Sequence, residues 1–273
     1  MVRQTMSPDT PMSYETLLYE VGDDNVATVT INRPDKLNSF NNQMRMEFFA
    51  LWNEIREDDR VNVVVLRANG RAFSAGVDVS ERADEGTESE PPIPFMGIDP
   101  GMRLGPKTNF VWKPIVCAVQ GIVAGGAQYW INESDIVICS DDAQFFDPHV
   151  TYGMTSACEP IGLRHRVPYG EAIRWALMGL DERMSAERAL QIGLVSEIIP
   201  RDQLWDHAHW IASTIANKPS VATQGTVKAM WQSLDLTRSA ALGMGLMYVQ
   251  LGNTIGEDDV ERGEVVRPKP RIR

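Results

Sequence analysis

The sequence predicts an α/β fold of stacked ββα units followed by a helical C-terminal region. Three observations lead there. The order strand, strand, helix, strand over residues 14–66 is approximately repeated over residues 115–146. Two apolar strands are followed by glycine-bearing turns, at residues 70–78 and 121–126. Beyond residue 200 the chain reads as helices alone. A doubly wound sheet would instead alternate single strands with single helices. At 273 residues the chain can bury a full core, as one domain or one domain with an appendage.

The elements follow in order. Residues 1–13 are polar, carry two prolines and are expected to be flexible. Residues 14–20 and 26–31 alternate well enough to be strands around a turn at Gly22-Asp23-Asp24-Asn25. Asn38 or Ser39 is placed to cap a helix ending near Asp58. Its apolar face is Phe40, Met44, Phe48, Leu51, Trp52 and Ile55. A β-branched strand at 61–66 follows. Residues 82–108 are rich in Glu, Pro and Gly and lack periodicity. They read either as a surface loop or, given Phe95, Met96, Ile98 and Met102, as a lid over a pocket. Strands are expected at 115–119, 135–140 and 144–146, with a short helix at 127–134. Helices at 168–179 and 185–192, a strand at 194–199, and helices at 202–216, 221–234 and 239–255 complete the chain. The domain reading is a core over 14–200, a helical assembly or lid region over 201–256, and a tail over 257–273. Trp205, Trp210 and Trp231 are expected to serve packing.

Composition excludes several classes of function. A net charge of −11 argues against broad nucleic-acid binding, although a local field can still hold an anionic ligand. Residues 1–13 lack the apolar core of a signal peptide, and the apolar stretch around 115–130 is too interrupted for a membrane span. Cys117, Cys139 and Cys158 form no disulfide frame or zinc motif. A cytoplasmic protein without metal or redox cofactor is expected.

The chemistry is concentrated in the glycine turns. Strand, glycine turn, helix leaves backbone N–H groups without acceptors at the positive end of a helix dipole. Such groups bind a phosphate or a transient oxyanion, and glycine permits close approach. The turn is neither a P-loop nor a GxGxxG fingerprint. An empty tight turn is the plainer alternative. The upstream turn Ala75-Gly76-Val77-Asp78 supplies a second donor, and two donors aimed at one oxygen make an oxyanion hole.

The run Ser74-Ala-Gly-Val-Asp-Val, then Lys113-Pro-Ile-Val-Cys-Ala-Val-Gln-Gly-Ile-Val-Ala-Gly-Gly-Ala, then Ser134-Asp-Ile-Val-Ile-Cys and Ala143-Gln-Phe-Phe resembles the crotonase (enoyl-CoA hydratase/isomerase) superfamily. Ile31-Asn-Arg-Pro-Asp-Lys-Leu-Asn-Ser-Phe and Ser185-Ala-Glu-Arg-Ala-Leu-Gln-Ile-Gly-Leu-Val extend the resemblance over roughly residues 14–256. The resemblance implies a ββα spiral and an acyl-CoA thioester substrate. It places the oxyanion donors on the N–H groups of Val77 and Gly126. It also implies a homotrimer or a dimer of trimers, with coenzyme A entering only as part of the substrate. Arg33 and Lys36 are the candidates for the CoA phosphates and adenine. Leu37, Ala75, Gly76, Asp78 and Gly125 are the other candidate CoA and substrate contacts.

One departure bears on mechanism. Where the family's hydratases carry two glutamates that add water, this chain has Tyr129 and His149. An ordinary imidazole titrates near pH 6.5 and can give or take a proton, whereas tyrosine is a weak base. His149 as base and Tyr129 as acid or orienter is one reading; a turn-capping His149 and a packed Tyr129 is the other. Glu159 could supply a base or position water, or be a helix N-terminal residue stabilised by the dipole. The expected function is therefore acyl-CoA processing through an enolate, with hydration in doubt. Isomerisation, hydrolysis, decarboxylation, C–C cleavage and a catalytically silent acyl-CoA binder remain open.

Overall fold

The computed structural model describes residues 14–80, 99–260 and 269–273. Two sheets organise them. The first has the order β1 (Leu17–Val21), β2 (Val26–Ile31), β3 (Val63–Ala68), β5 (Ile115–Val119), β7 (Ile136–Ser140) and β10 (Glu197–Ile199). β1 pairs antiparallel with β2, with Tyr19 opposite Val29, and every other pairing is parallel. The second sheet has the order β4 (Ala72–Ser74), β6 (Ile122–Ala124), β8 (Gln144–Phe146) and β9 (Met184–Ser185). β4, β6 and β8 run parallel and β9 antiparallel. Each of the pairs β3/β4, β5/β6 and β7/β8 thus gives one strand to each sheet, which is the spiral that the resemblance implies.

Alternation along the first sheet decides its two faces. Val64, Leu66, Ile115, Cys117 and Val119 turn toward α1 (Asn42–Glu57), α2 (Gln128–Asn132) and the second sheet. Val63, Val65, Val116, Ala118 and Ile138 face α6 (Leu204–Ala216), which presents Leu204, Ala208, Ala212 and Ala216. The α6 residues are spaced by four and lie on one face. Three short helices follow α2, namely α3 (Cys158–Leu163), α4 (Tyr169–Leu177) and α5 (Ala186–Gln191). α7 (Ser220–Ser233) and α8 (Arg238–Asp258) pack on each other, and of their residues only Gly256 is buried.

Several expectations are corrected. α1 is capped by Asn41, whose side chain accepts from the Met44 N–H, not by Asn38 or Ser39. Asn38 is buried and its amide donates to the carbonyls of Asn69 and Ala72, so it ties loops together. The strand expected at 194–199 is only Glu197–Ile199, because Leu194 and Val195 close the turn after α5 by donating to Ala189. Of the segment expected as a surface loop or lid, Phe95, Met96 and Ile98 lie outside the described residues. Its later part is packed: Leu104 is buried and its carbonyl accepts from the Trp52 indole at 2.8 Å. That bond satisfies the indole N–H of a fully buried tryptophan.

Candidate active site

Two turns meet at the top of the second sheet. After β4 the chain forms a bridge with Phe40: its N–H donates to the Gly76 carbonyl and its carbonyl accepts from the Asp78 N–H, both at 2.8 Å. That pattern uses the groups on either side of Val77. Among the described residues nothing accepts from the Val77 N–H. β6 ends in a 3-10 turn, Gly125–Ala127, that leads into α2. Gly126 sits in the first turn of that segment, where N–H groups have no intrahelical acceptor.

Glycine is required where the turns touch. A Cβ on Gly76 would lie 2.9 Å from the Ala124 carbonyl oxygen and 3.5 Å from the Gly126 nitrogen, and its φ is +86°. The backbones of the two turns are therefore pressed together. A Cβ on Gly126 would lie 2.6 Å from the Phe40 ring.

His149 and Tyr129 flank this junction. The Cβ position of Gly125 is 3.5 Å from His149 Cε1, and that of Gly126 is 3.6 Å from Tyr129 Cε2. His149 begins a 3-10 turn after β8, and its Nε2 lies 3.9 Å from Glu159 Oε1. Glu159, in the first turn of α3, is buried. Burial pushes its carboxyl above the usual carboxylate range, the neighbouring Asp147 and Asp99 add to this, and His149 opposes it.

Tyr129 is held by its hydroxyl. The hydroxyl donates to Asp99 Oδ2, and Asp99 Oδ1 accepts from the Gly101 N–H at 3.0 Å. Burial first, and that bond second, raise the Tyr129 pKa far above that of a free phenol. Tyr129 therefore stays a neutral phenol. Its ring also lines a cavity of about 730 Å³ with Met102, Ile161, Val227, Met230 and Trp231.

The residues expected at the CoA side lie together. The Ala75 N–H donates to the Leu37 carbonyl at 2.9 Å, and Leu37 itself is left-handed, with φ +51°. The Arg33 guanidinium bonds the Ser39 carbonyl at 2.6 Å and Asp78 at 3.1 Å. Asp78 is buried in that pairing, while Lys36 is exposed.

Sequence reasoning missed Asp147, Ser156 and Asp99. Asp147 is buried, accepts from the His149 ring at Nδ1 and from the Ser156 hydroxyl, and takes the His149 backbone N–H at 3.1 Å. The triplet Asp147-Pro148-His149 carried a usable signal, since an Asp followed by Pro often accepts from the N–H two residues on. No local signal could have joined Asp99 to Tyr129. Among the described residues no group of three or more His, Cys, Asp or Glu is arranged to hold a metal ion, and no helix is long and apolar enough to cross a membrane.

A two-sheet ββα spiral with converging glycine turns defines the crotonase fold class. The chain belongs to the enoyl-CoA hydratase/isomerase family, whose model matches residues 22–265. It is 31% identical to a 1,2-epoxyphenylacetyl-CoA isomerase of Escherichia coli, over 71% of this chain and 74% of the relative. It is 29% identical to an (E)-benzylidenesuccinyl-CoA hydratase of Thauera aromatica, over 88% and 90%. The structure resembles an enoyl-CoA hydratase/isomerase from Mycobacterium paratuberculosis at 36% identity and a TM-score of 0.81, covering 88% and 91% of the two chains.

Proposed function

We propose that the chain binds an unsaturated acyl-CoA, stabilises its thioester enolate at the Val77 and Gly126 N–H groups, and shifts a proton with His149. The observation that carries this is the position of the imidazole against Gly125, beside the turn that holds the Gly126 N–H. A thioester oxygen between the two donors places its α-carbon next to that ring. In a β,γ-unsaturated substrate, breaking the α C–H bond sends the proton to His149 Nε2 and the electron pair into the dienolate. Two fixed backbone donors stabilise the developing oxyanion without reorganisation. The proton then returns at the γ-carbon, so the double bond moves and no water is added. An imidazole can take a proton and return it. Glu159, driven toward its neutral form by burial, is placed to return a proton or to relay one. Tyr129, held to Asp99, shapes the acyl side of the site and transfers no proton.

Arg33, Lys36, Leu37 and Ala75 form the CoA-facing rim in this reading, with Arg33 oriented by Asp78. The names of the two curated relatives above, an isomerase and a hydratase of aryl-bearing acyl-CoAs, support testing aryl substrates alongside alkyl ones. The experiment is a panel of β,γ- and α,β-unsaturated acyl-CoAs in ¹⁸O-labelled water, followed by mass spectrometry and chromatography. The expected product has the mass of its substrate and a moved double bond. A thioester that gains labelled water would establish hydration. Free CoA with a labelled acid would establish hydrolysis directed by His149 and Glu159. Binding without turnover across the panel would establish the silent acyl-CoA binder. Each of these three results contradicts the proposal.

A further inference from the structure

Resting on the reading of His149 as the proton carrier, we propose that Asp147 is its positioning residue, fixing the tautomer and the ring plane that the reaction needs.

An imidazole has two nitrogens, either of which can carry the proton of the neutral ring. Which of them carries the proton in the neutral ring is set by the hydrogen bond the other makes. An ionised carboxylate only accepts, so the bond from His149 Nδ1 to Asp147 Oδ1 places the proton on Nδ1. The basic lone pair is then on Nε2. That nitrogen is the one on the Glu159 side of the ring, 3.9 Å from Glu159 Oε1.

Asp147 is itself held. It is fully buried, and its two oxygens take the His149 ring, the His149 backbone N–H at 3.1 Å and the Ser156 hydroxyl. A carboxylate with three donors has little freedom to turn, so the ring it holds has little freedom either. β8 and the turn at Pro148 fix the carboxyl's position from one side, and the segment leading into α3 fixes it from the other through Ser156. The charged and titratable groups facing His149 include Asp147 from its own turn and Glu159 from α3. Tyr129, Asp99 and Cys158 surround Glu159.

The arrangement does two things for the reaction. It aims Nε2 before substrate arrives, which removes a reorientation from the barrier. It also stabilises the imidazolium that forms when the α-proton is taken, because the carboxylate remains beside Nδ1 while the charge exists.

The test is Asp147→Asn in the full chain, measured beside His149→Ala and Ser156→Ala. Asparagine keeps the size and the oxygen that accepts from the His149 ring and backbone N–H, and removes the negative charge. The expected result is a fall in kcat of about a hundredfold or more, in the range of a lost acid–base contribution, with KM within about twofold. The acidic limb of the kcat/KM profile should move to lower pH, since an anion that favours the charged ring is gone. Nitrogen chemical shifts of His149 should report a proton on Nδ1 in the parent protein and loss of that preference in Asp147→Ala, which removes the acceptor. Ser156→Ala should lower kcat less than tenfold. An Asp147→Asn enzyme with the parent's kcat and pH profile, or an Asp147→Ala enzyme with the parent's tautomer, overturns the proposal. So does a variant that only melts earlier while its profile is unchanged. If His149→Ala leaves turnover intact, the functional reading itself fails, and that outcome is separate from the failure of Asp147 alone.

Discussion

Glu159 shows how one side chain is shaped at a cost to the fold. Its carboxyl is buried and its folded pKa is raised, chiefly by desolvation. In the unfolded chain it titrates near pH 4.3. Between that value and its raised folded value the native state holds the extra proton, so its contribution to stability is fully present below the unfolded pKa. That contribution is lost as pH rises through the folded pKa. Glu159→Gln keeps the shape and removes the titration. The variant is expected to melt higher than the parent at pH 7–8, by a margin that shrinks toward pH 4, in thermal scans across that range. A margin independent of pH would contradict the assignment. Cys158, next in sequence, is exposed and pushed up to about 11 by partial burial and by Asp99, so it is a thiol rather than a thiolate at neutral pH.

At the scale of elements, the helices differ in how their apolar faces are used. α1 buries Met44, Phe48, Leu51, Trp52 and Ile55, each contributing about 1.5–3 kcal/mol in transfer terms. α6 closes the outer face of the first sheet. α7 is tied back through Trp231, whose indole donates to Asp135 at 2.5 Å. Asp135 also accepts from Lys107 at 2.8 Å and from the Ile115 N–H at 2.7 Å. α8 is different. Leu242, Leu246 and Val249 recur at helical spacing and are all at least half exposed. Such a stripe is costly in water and marks a contact surface. We propose that other copies of the chain cover it in a trimer or a dimer of trimers. Leu246→Glu is expected to lower the assembly mass in light scattering, with helical content unchanged by circular dichroism. A monomeric parent protein would contradict the proposal.

For the whole molecule, what was legible in the sequence follows from how local each signal is. β2, β5 and β8 were placed to the residue because apolar runs bounded by turns carry their own limits. β4 and β6, three residues each, were read as parts of glycine turns, since three residues cannot show a period. The two turns were visible, but their contact at Gly76 and Ala124 arises only when the second sheet forms. His149 and Glu159 were found, and their 3.9 Å approach was not, because ten residues of turn and helix separate them. Tyr129 was singled out without its partner, because Asp99, thirty residues earlier, carries no local signal. The spiral is what brings these distant turns to one place. Catalysis in this account is a property of that convergence rather than of any single motif.

The most direct test of that account is deuterium wash-in at the carbon α to the thioester. A saturated acyl-CoA, which cannot isomerise or take up water, is incubated in D₂O with the parent protein and with His149→Ala. The account predicts α-deuteration by the parent, reduced at least about a hundredfold in the variant, with the acyl-CoA bound about equally by both. Equal exchange by the two proteins, or binding with no exchange by either, would contradict proton abstraction by His149.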